Sequence, residues 1–244
     1  MSIGFPKPLE KSIAFCYNTI KSLWSWLMKY QYLLFDMDGM LVDTREGILK
    51  CAQHALAAFG IQVDDLQTLT KFVGPPLSAS FREFYGFSDE QAAKAVSIYR
   101  QRYSTHGQYE CFVFDGVADM LAALRAQGYR MCIATSKLET YAKEMLERLG
   151  IAKFFEQFVG ATPDEKISTK AEVVREAIRR MEITQRETAL MIGDRKHDVL
   201  GARECGIDSF GVYMGCAEPM EHEKAGATYI ANSISELHQK LMSF

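Results

Sequence analysis

Two carboxylates stand two residues apart in Phe35-Asp36-Met37-Asp38-Gly39. The run before them is apolar and the glycine after them marks a turn, so both acids fall at the mouth of a buried strand. Acids held this close repel one another unless something positive sits between them. A hard cation such as Mg2+ meets that need with oxygen ligands. The plain alternative is that one Asp caps the turn while the other is solvated, and this motif alone leaves the two readings even. A second apolar run, Met191-Ile192-Gly193-Asp194, continues into Arg195-Lys196-His197-Asp198. It again puts acids at a strand end and four residues later, where they can share a face at a helix start. Two separate strands delivering acids to one end of a sheet favour the cation.

A third run ends Ile133-Ala134-Thr135-Ser136-Lys137. A hydroxyl residue at a helix start, with free backbone N–H groups behind it, is a phosphate-binding arrangement; an ordinary N-cap is the commoner use of the same residue type. Lys170 falls in the first turn of a predicted helix, where a cation opposes the macrodipole. A local rule is broken there, as happens where a functional charge is wanted. A solvated lysine is the plain alternative, and Lys166 stands further from the helix start. Asp43 with Glu46 fits a capping box and stays outside the catalytic set. His197, beside Lys196 on an early helical turn, reads as exposed or locally hydrogen-bonded rather than as a metal ligand.

These residues need elements to hold them. Tyr32 to Phe35, Arg130 to Ala134, Thr188 to Ile192 and Phe210 to Tyr213 read as short buried strands, with Thr228 to Ile230 a weaker fifth. Between them lie helices built on Val117, Met120, Leu121 and Leu124; on Ala142, Met145, Leu146 and Leu149; and on Val173, Val174, Ala177, Ile178 and Met181. Capping-box spacing at Ser136/Glu139, Thr169/Glu172 and Ser233/Glu236 marks starts, and Gly128 and Gly150 mark stops. Strand–helix alternation implies a doubly wound, parallel α/β sheet. From Glu46 to Phe114 the alternation lapses into helices alone: Gly47 to Phe59, a short piece near Asp65 to Phe72, Leu77 to Tyr85, and Ser88 to Tyr103. The expected layout is an N-terminal extension over 1–30, an α/β core over 31–45 and 115–244, and a helical subdomain inserted over 46–114. Ligands of open α/β sheets sit beyond the carboxyl ends of the strands, so an insert leaving there lies over the site.

Composition agrees. A chain of 244 residues, 48% hydrophobic and 24% charged, supports one domain with a smaller insert. A net charge of −3 and a pI near 6.0 offer no basic surface for nucleic acid. Six scattered cysteines make no zinc or thioredoxin pair, and Cys51 and Cys132 within apolar runs read as buried thiols of a reducing, cytoplasmic compartment. Residues 12–28 have the spacing of an amphipathic helix but are too interrupted to span a bilayer. With only Lys21 and Lys29 nearby, packing on the domain or on a second subunit is expected rather than membrane attachment.

Asp36-Met37-Asp38-Gly39, Thr135-Ser136, Lys170 and Gly193-Asp194 through Asp198 follow the order of the four motifs of the haloacid dehalogenase-like phosphohydrolases, which this chain resembles from about Gln31 to its end. Gly74-Pro75-Pro76-Leu77 and Gly193-Asp194-Arg195-Lys196-His197-Asp198-Val199 are similar to the phosphoglycolate phosphatase and 5′-nucleotidase branch, although Met40 stands where the family usually has Thr. The resemblance implies a Rossmann-like core with a helical cap. It makes Asp36 the nucleophile that forms an aspartyl-phosphate and Asp38 the acid and base. Mg2+ would be held by Asp36, the Asp38 carbonyl and Asp194, with Asp198 acting directly or through water. Thr135, Ser136 and Lys170 would bind the phosphoryl group, and Arg45 and Arg82 of the insert are candidate substrate contacts.

The expected activity is an Mg2+-dependent phosphatase acting on a small phosphorylated metabolite, as a monomer or homodimer. A sugar phosphomutase shares the aspartyl-phosphate. A dehalogenase needs neither Asp38 nor a metal, and a phosphonate hydrolase wants a Schiff-base lysine that Lys50, Lys71 and Lys94 do not advertise. A catalytically silent binding protein would have lost a motif, and all four are present.

Overall fold

The computed structural model describes residues 28–164, 166–215 and 217–244. Six parallel strands form the central sheet in the order β5-β4-β1-β6-β7-β8: β1 Tyr32–Phe35, β4 Arg130–Leu138, β5 Gln157–Ala161, β6 Ala189–Gly193, β7 Asp208–Val212 and β8 Tyr229–Ala231. Register aligns Phe35 with Ile133 on one side and with Ile192 on the other. The acid and hydroxyl motifs, which follow directly, therefore emerge together at one end of the sheet.

The central strands are continuous apolar runs because helices cover both faces. Leu33 and Phe35 of β1 join a core with Leu190, Ile192 and Phe210, into which α4 (Val117–Gln127), α5 (Glu139–Arg148) and α9 (Ile234–Leu241) send Leu121, Leu146 and Leu237. Leu34, Cys132 and Met191 face the other way. There they meet Val173, Val174 and Ala177 of α6 (Lys170–Arg180) and Ala202 of α7 (Lys196–Glu204). The sheet is doubly wound, as expected.

Between β1 and α4 the chain makes a two-stranded antiparallel pair, β2 (Val42–Asp43) with β3 (Phe112–Val113). The helices between those two strands are α1 Arg45–Ala57, a 3-10 turn Leu66–Phe72, α2 Leu77–Tyr85 and α3 Asp89–Thr105. Phe72, Phe81 and Phe87 pack among them with ring centroids 5.0 and 5.8 Å apart. We propose that they form the separate subdomain expected over 46–114.

Several local expectations need correcting. β5 was not foreseen: Gln-Phe-Val-Gly-Ala is short, lies at the sheet edge and buries only Val159 and Gly160. The β2–β3 pair is likewise too short to read by periodicity. Ser136 caps no helix, since β4 runs on extended through a register shift to Leu138 and α5 begins at Glu139. Glu139 pairs with Arg180 at 3.0 Å instead. Asp43 is no helix cap either: Thr44 occupies that position, and Asp43 accepts the Arg45 N–H at 3.0 Å. The boxes at Ser88/Gln91 and Thr169/Glu172 are formed, and Ser233 accepts from the Glu236 N–H. The helix expected over residues 12–28 lies outside the described residues apart from Met28. Among the described residues no helix is long and apolar enough to cross a membrane.

Candidate active site

Beyond the carboxyl ends of β1 and β6, Asp36, Asp194 and Asp198 each offer a carboxylate oxygen within 4.8 Å of the other two, and all three are buried. Close backbone makes this possible. A Cβ on Gly39, whose φ is +80°, would lie 2.3 Å from Asp194 Oδ2, and one on Gly193 would lie 2.1 Å from Asp198 Cγ. Only glycine leaves room for the acids at these turns.

One lysine opposes the three acids. Lys170, first residue of α6, places Nζ 3.0 Å from Asp36 Oδ1 and 2.8 Å from Asp198 Oδ1, and donates to the Ala134 carbonyl at 3.1 Å. Burial works against its charge, but Asp198 and Asp36 outweigh it and hold the ammonium above its ordinary pKa. Burial pushes the Asp36 carboxyl up to about 6 despite Lys170. Asp194 goes well above its ordinary range, through burial first and then through Asp36 and Asp198. Neither Asp194 oxygen finds a hydrogen-bond donor among the described residues. Buried carboxylate oxygens are seldom left so, and an oxygen-seeking cation among the three acids satisfies them. The donor set fits Mg2+.

Asp38 is turned aside. Its carboxylate accepts from Lys137 Nζ at 2.9 and 3.2 Å, and that ammonium also lies 4.8 Å from the ring centroid of Tyr103 on α3. The two acids of the first motif are thus drawn to different lysines, Asp36 to Lys170 and Asp38 to Lys137. Thr135 is buried, and its Oγ1 accepts the Lys137 N–H at 3.3 Å. Ser136 follows it on the extended end of β4. Lys166 pairs with Asp164 at the surface, 2.8 Å away. His197 is exposed.

Of the two candidate substrate arginines, Arg45 forks onto Asp43, and Arg82 pairs with exposed Asp89 at 2.5 Å. Among the described residues no contact joins Arg82 to the strand-end acids. Lys137, Tyr103, Arg195 and Glu221 went unassigned in the sequence. Lys137 stands inside the Thr135-Ser136 motif and Arg195 inside the Asp194 motif, so adjacency was their signal. Tyr103 and Glu221 had none, because only the fold brings them there.

Residues 33–212 match the model of the haloacid dehalogenase-like hydrolases. A 5′-nucleotidase of Pseudomonas aeruginosa is 38% identical over 216 residues, 88% of this chain and 97% of that protein. The tyrosine-protein kinase PtkA of Mycobacterium tuberculosis is 36% identical over 213 residues, 86% of this chain and 72% of that protein. Among solved structures, a predicted phosphatase from Clostridium acetobutylicum superposes with a TM-score of 0.84 at 43% identity, covering 88% of this chain and 99% of that one.

Proposed function

The chain belongs to the haloacid dehalogenase-like hydrolases and is a phosphatase of that family, and we propose that it hydrolyses small phosphate monoesters with Asp36 as nucleophile. What carries this reading is the trio Asp36, Asp194 and Asp198, with Lys170 paired to Asp36 and Asp198 and neither Asp194 oxygen meeting a hydrogen-bond donor among the described residues. A bound Mg2+ held by these carboxylates would supply the positive charge that lets an anionic nucleophile meet an anionic phosphoryl group.

The rest falls to the chain's own residues. An Asp36 oxygen attacks phosphorus while the bond to the ester oxygen breaks, and Asp38, swung back from Lys137 and protonated, gives that oxygen its proton. Asp38 then takes a proton from water, whose oxygen attacks phosphorus and frees Asp36 and inorganic phosphate. Splitting the displacement in two is the gain of covalent catalysis, and the proton transfers contribute about 10²–10⁴-fold. Lys170, Thr135 and the Ser136 N–H bind the phosphoryl oxygens as charge spreads onto them. Ser136 does so from an extended strand end rather than from a helix start.

Nucleoside 5′-monophosphates come first among substrates, because the Pseudomonas aeruginosa relative bearing that name matches along 97% of its length. 2-Phosphoglycolate comes second. The four described cysteines are free thiols, which suits the cytoplasm. Phosphate release from a panel of both classes, with Mg2+ and with EDTA, tests the reading. Release that persists in EDTA, or that survives Asp36→Asn, overturns it.

A further inference from the structure

Arg195 stands between two acids of the site but contacts neither through its guanidinium. Its Nη1 donates instead to the carbonyl of Val73, 122 residues away in the insert, at 2.9 Å. Its Nε donates at 3.0 Å to Glu221 of α8 (Glu221–Ala225). Both side chains are largely buried, 13% and 5% exposed. Glu221 is itself fixed, accepting the Lys196 N–H at 2.6 Å and the Glu218 N–H at 2.9 Å. The guanidinium lies close under the next turn of the insert: a Cβ on Gly74, whose φ is +105°, would come 3.5 Å from Nη1. The acceptor on the insert is main chain, so the contact reads where that backbone sits rather than which side chain it carries.

Position gives the contact its leverage. The insert is joined covalently to the sheet through β2 and β3, two residues each. Val73 lies roughly midway along the chain between them, just before Gly74-Pro75-Pro76. A tie far from a short hinge restrains rotation about it, and a charged, desolvated fork makes a strong tie. We propose that Arg195, oriented by Glu221, is a positioning residue that seats the Val73–Pro76 segment of the insert against the loop carrying Asp194 and Asp198. This goes beyond the proposed reaction, since it concerns how the insert is held, whatever ester lies beneath it.

Backbone hydrogen exchange of the full chain tests it without turnover. In Arg195→Ala, amides within 66–81 should exchange about 10-fold faster or more, while those of α6 and α9 keep their parental rates. With p-nitrophenyl phosphate and Mg2+, KM should rise several-fold with kcat within about twofold, the pattern of lost binding that ground and transition states share. Arg195→Lys keeps the charge but cannot reach Glu221 and Val73 together, and should behave like the alanine variant. Glu221→Gln leaves Arg195 in place and should loosen the same amides less. Parental exchange at 66–81 in Arg195→Ala, full rescue by Arg195→Lys, or uniform loosening of the whole fold in every variant overturns the proposal. Phosphatase activity surviving Asp36→Asn would sink the proposed reaction and leave this exchange result standing.

Discussion

At the amino ends of the central strands, Tyr30 donates its hydroxyl to Asp208, Thr228 adds a second donor at 3.3 Å, and the Lys29 ammonium lies 3.8 Å from the same carboxylate. At the carboxyl ends, Asp36 and Asp198 of three buried aspartates share Lys170, and Asp194 finds no donor among the described residues. The first cluster holds one acid among three donors and is complete. The second holds three acids to one cation and is complete only with something added. Burial of mutually repelling charge costs stability, so a cluster that keeps it marks chemistry, whereas a matched one marks packing.

Removing the nucleophile should break this contrast most completely. Asp36→Asn keeps size and shape but cannot form the acyl phosphate, so phosphate release should drop by about 10³-fold or more. Circular dichroism should show the parental fold, which separates lost chemistry from lost structure. Asp194→Asn comes next. Release should fall by about 10²-fold, judged from what a charged ligand contributes. Because Asp36 and Asp198 then face an uncharged neighbour, melting in EDTA should rise by a few degrees. The upward shift that Mg2+ gives the parent should shrink in parallel. A variant that melts lower in EDTA would mean that Asp194 carries structural weight beyond holding the ion.

The pH dependence of the ion-free protein sharpens the same point. Burial raises the Asp36 carboxyl from 3.8 to about 6, and Asp194 moves upward as well. Between those values Asp36 binds more protons in the folded chain than in the unfolded one, so its contribution to stability falls as pH rises, against the opposite contribution of paired carboxylates such as Glu176 and Glu236, held down at about 2. Melting in EDTA should therefore gain less between about pH 4 and pH 6 than it does with saturating Mg2+. Asp36→Asn should recover part of that gain without Mg2+. An EDTA profile that parallels the Mg2+ profile over this range would show the trio to be compensated by groups other than Lys170.

The carboxyl-end cluster was also the more legible in sequence. Asp36 and Asp194 follow unbroken apolar runs, Asp198 comes four residues after Asp194 on the next helix, and central parallel strands bring such runs to a common end. Lys170 announced itself by sitting where a helix disfavours a cation. What escaped reading depended on geometry that spacing does not encode. Ser136 was expected at a helix start, but a register shift in β4 carries the strand on to Leu138. β5 gave no pattern because an edge strand buries little. Lys137 was visible as a residue, but its pairing with Asp38 requires β1 and β4 to be neighbours. Arg195 and Glu221 are 26 residues apart and meet only through the path of the chain after β7. The amino-end cluster was not legible, since Tyr30 precedes β1 while Asp208 and Tyr229 open β7 and β8, and no periodic signal links them.

The smallest expected effect lies at that amino end. Tyr30→Phe keeps the ring in its edge-on contacts with Phe244 and Tyr229, whose centroids lie 5.1 and 6.2 Å away, and removes only the hydroxyl. Asp208 then loses one donor but retains Thr228 and Lys29, and because it is partly exposed, water can replace the third. A hydrogen bond to a charged acceptor contributes about 1.5–3 kcal/mol when buried, and solvent access here brings the loss nearer 1 kcal/mol. At this chain length that is a fall in melting temperature of about 2–4 °C. Phosphate release should stay within twofold of the parent, because the sheet separates this cluster from Asp36. A larger loss of activity would show that strain at the amino ends reaches the acids at the other, and the division of the sheet into a matched end and a reactive end would no longer hold.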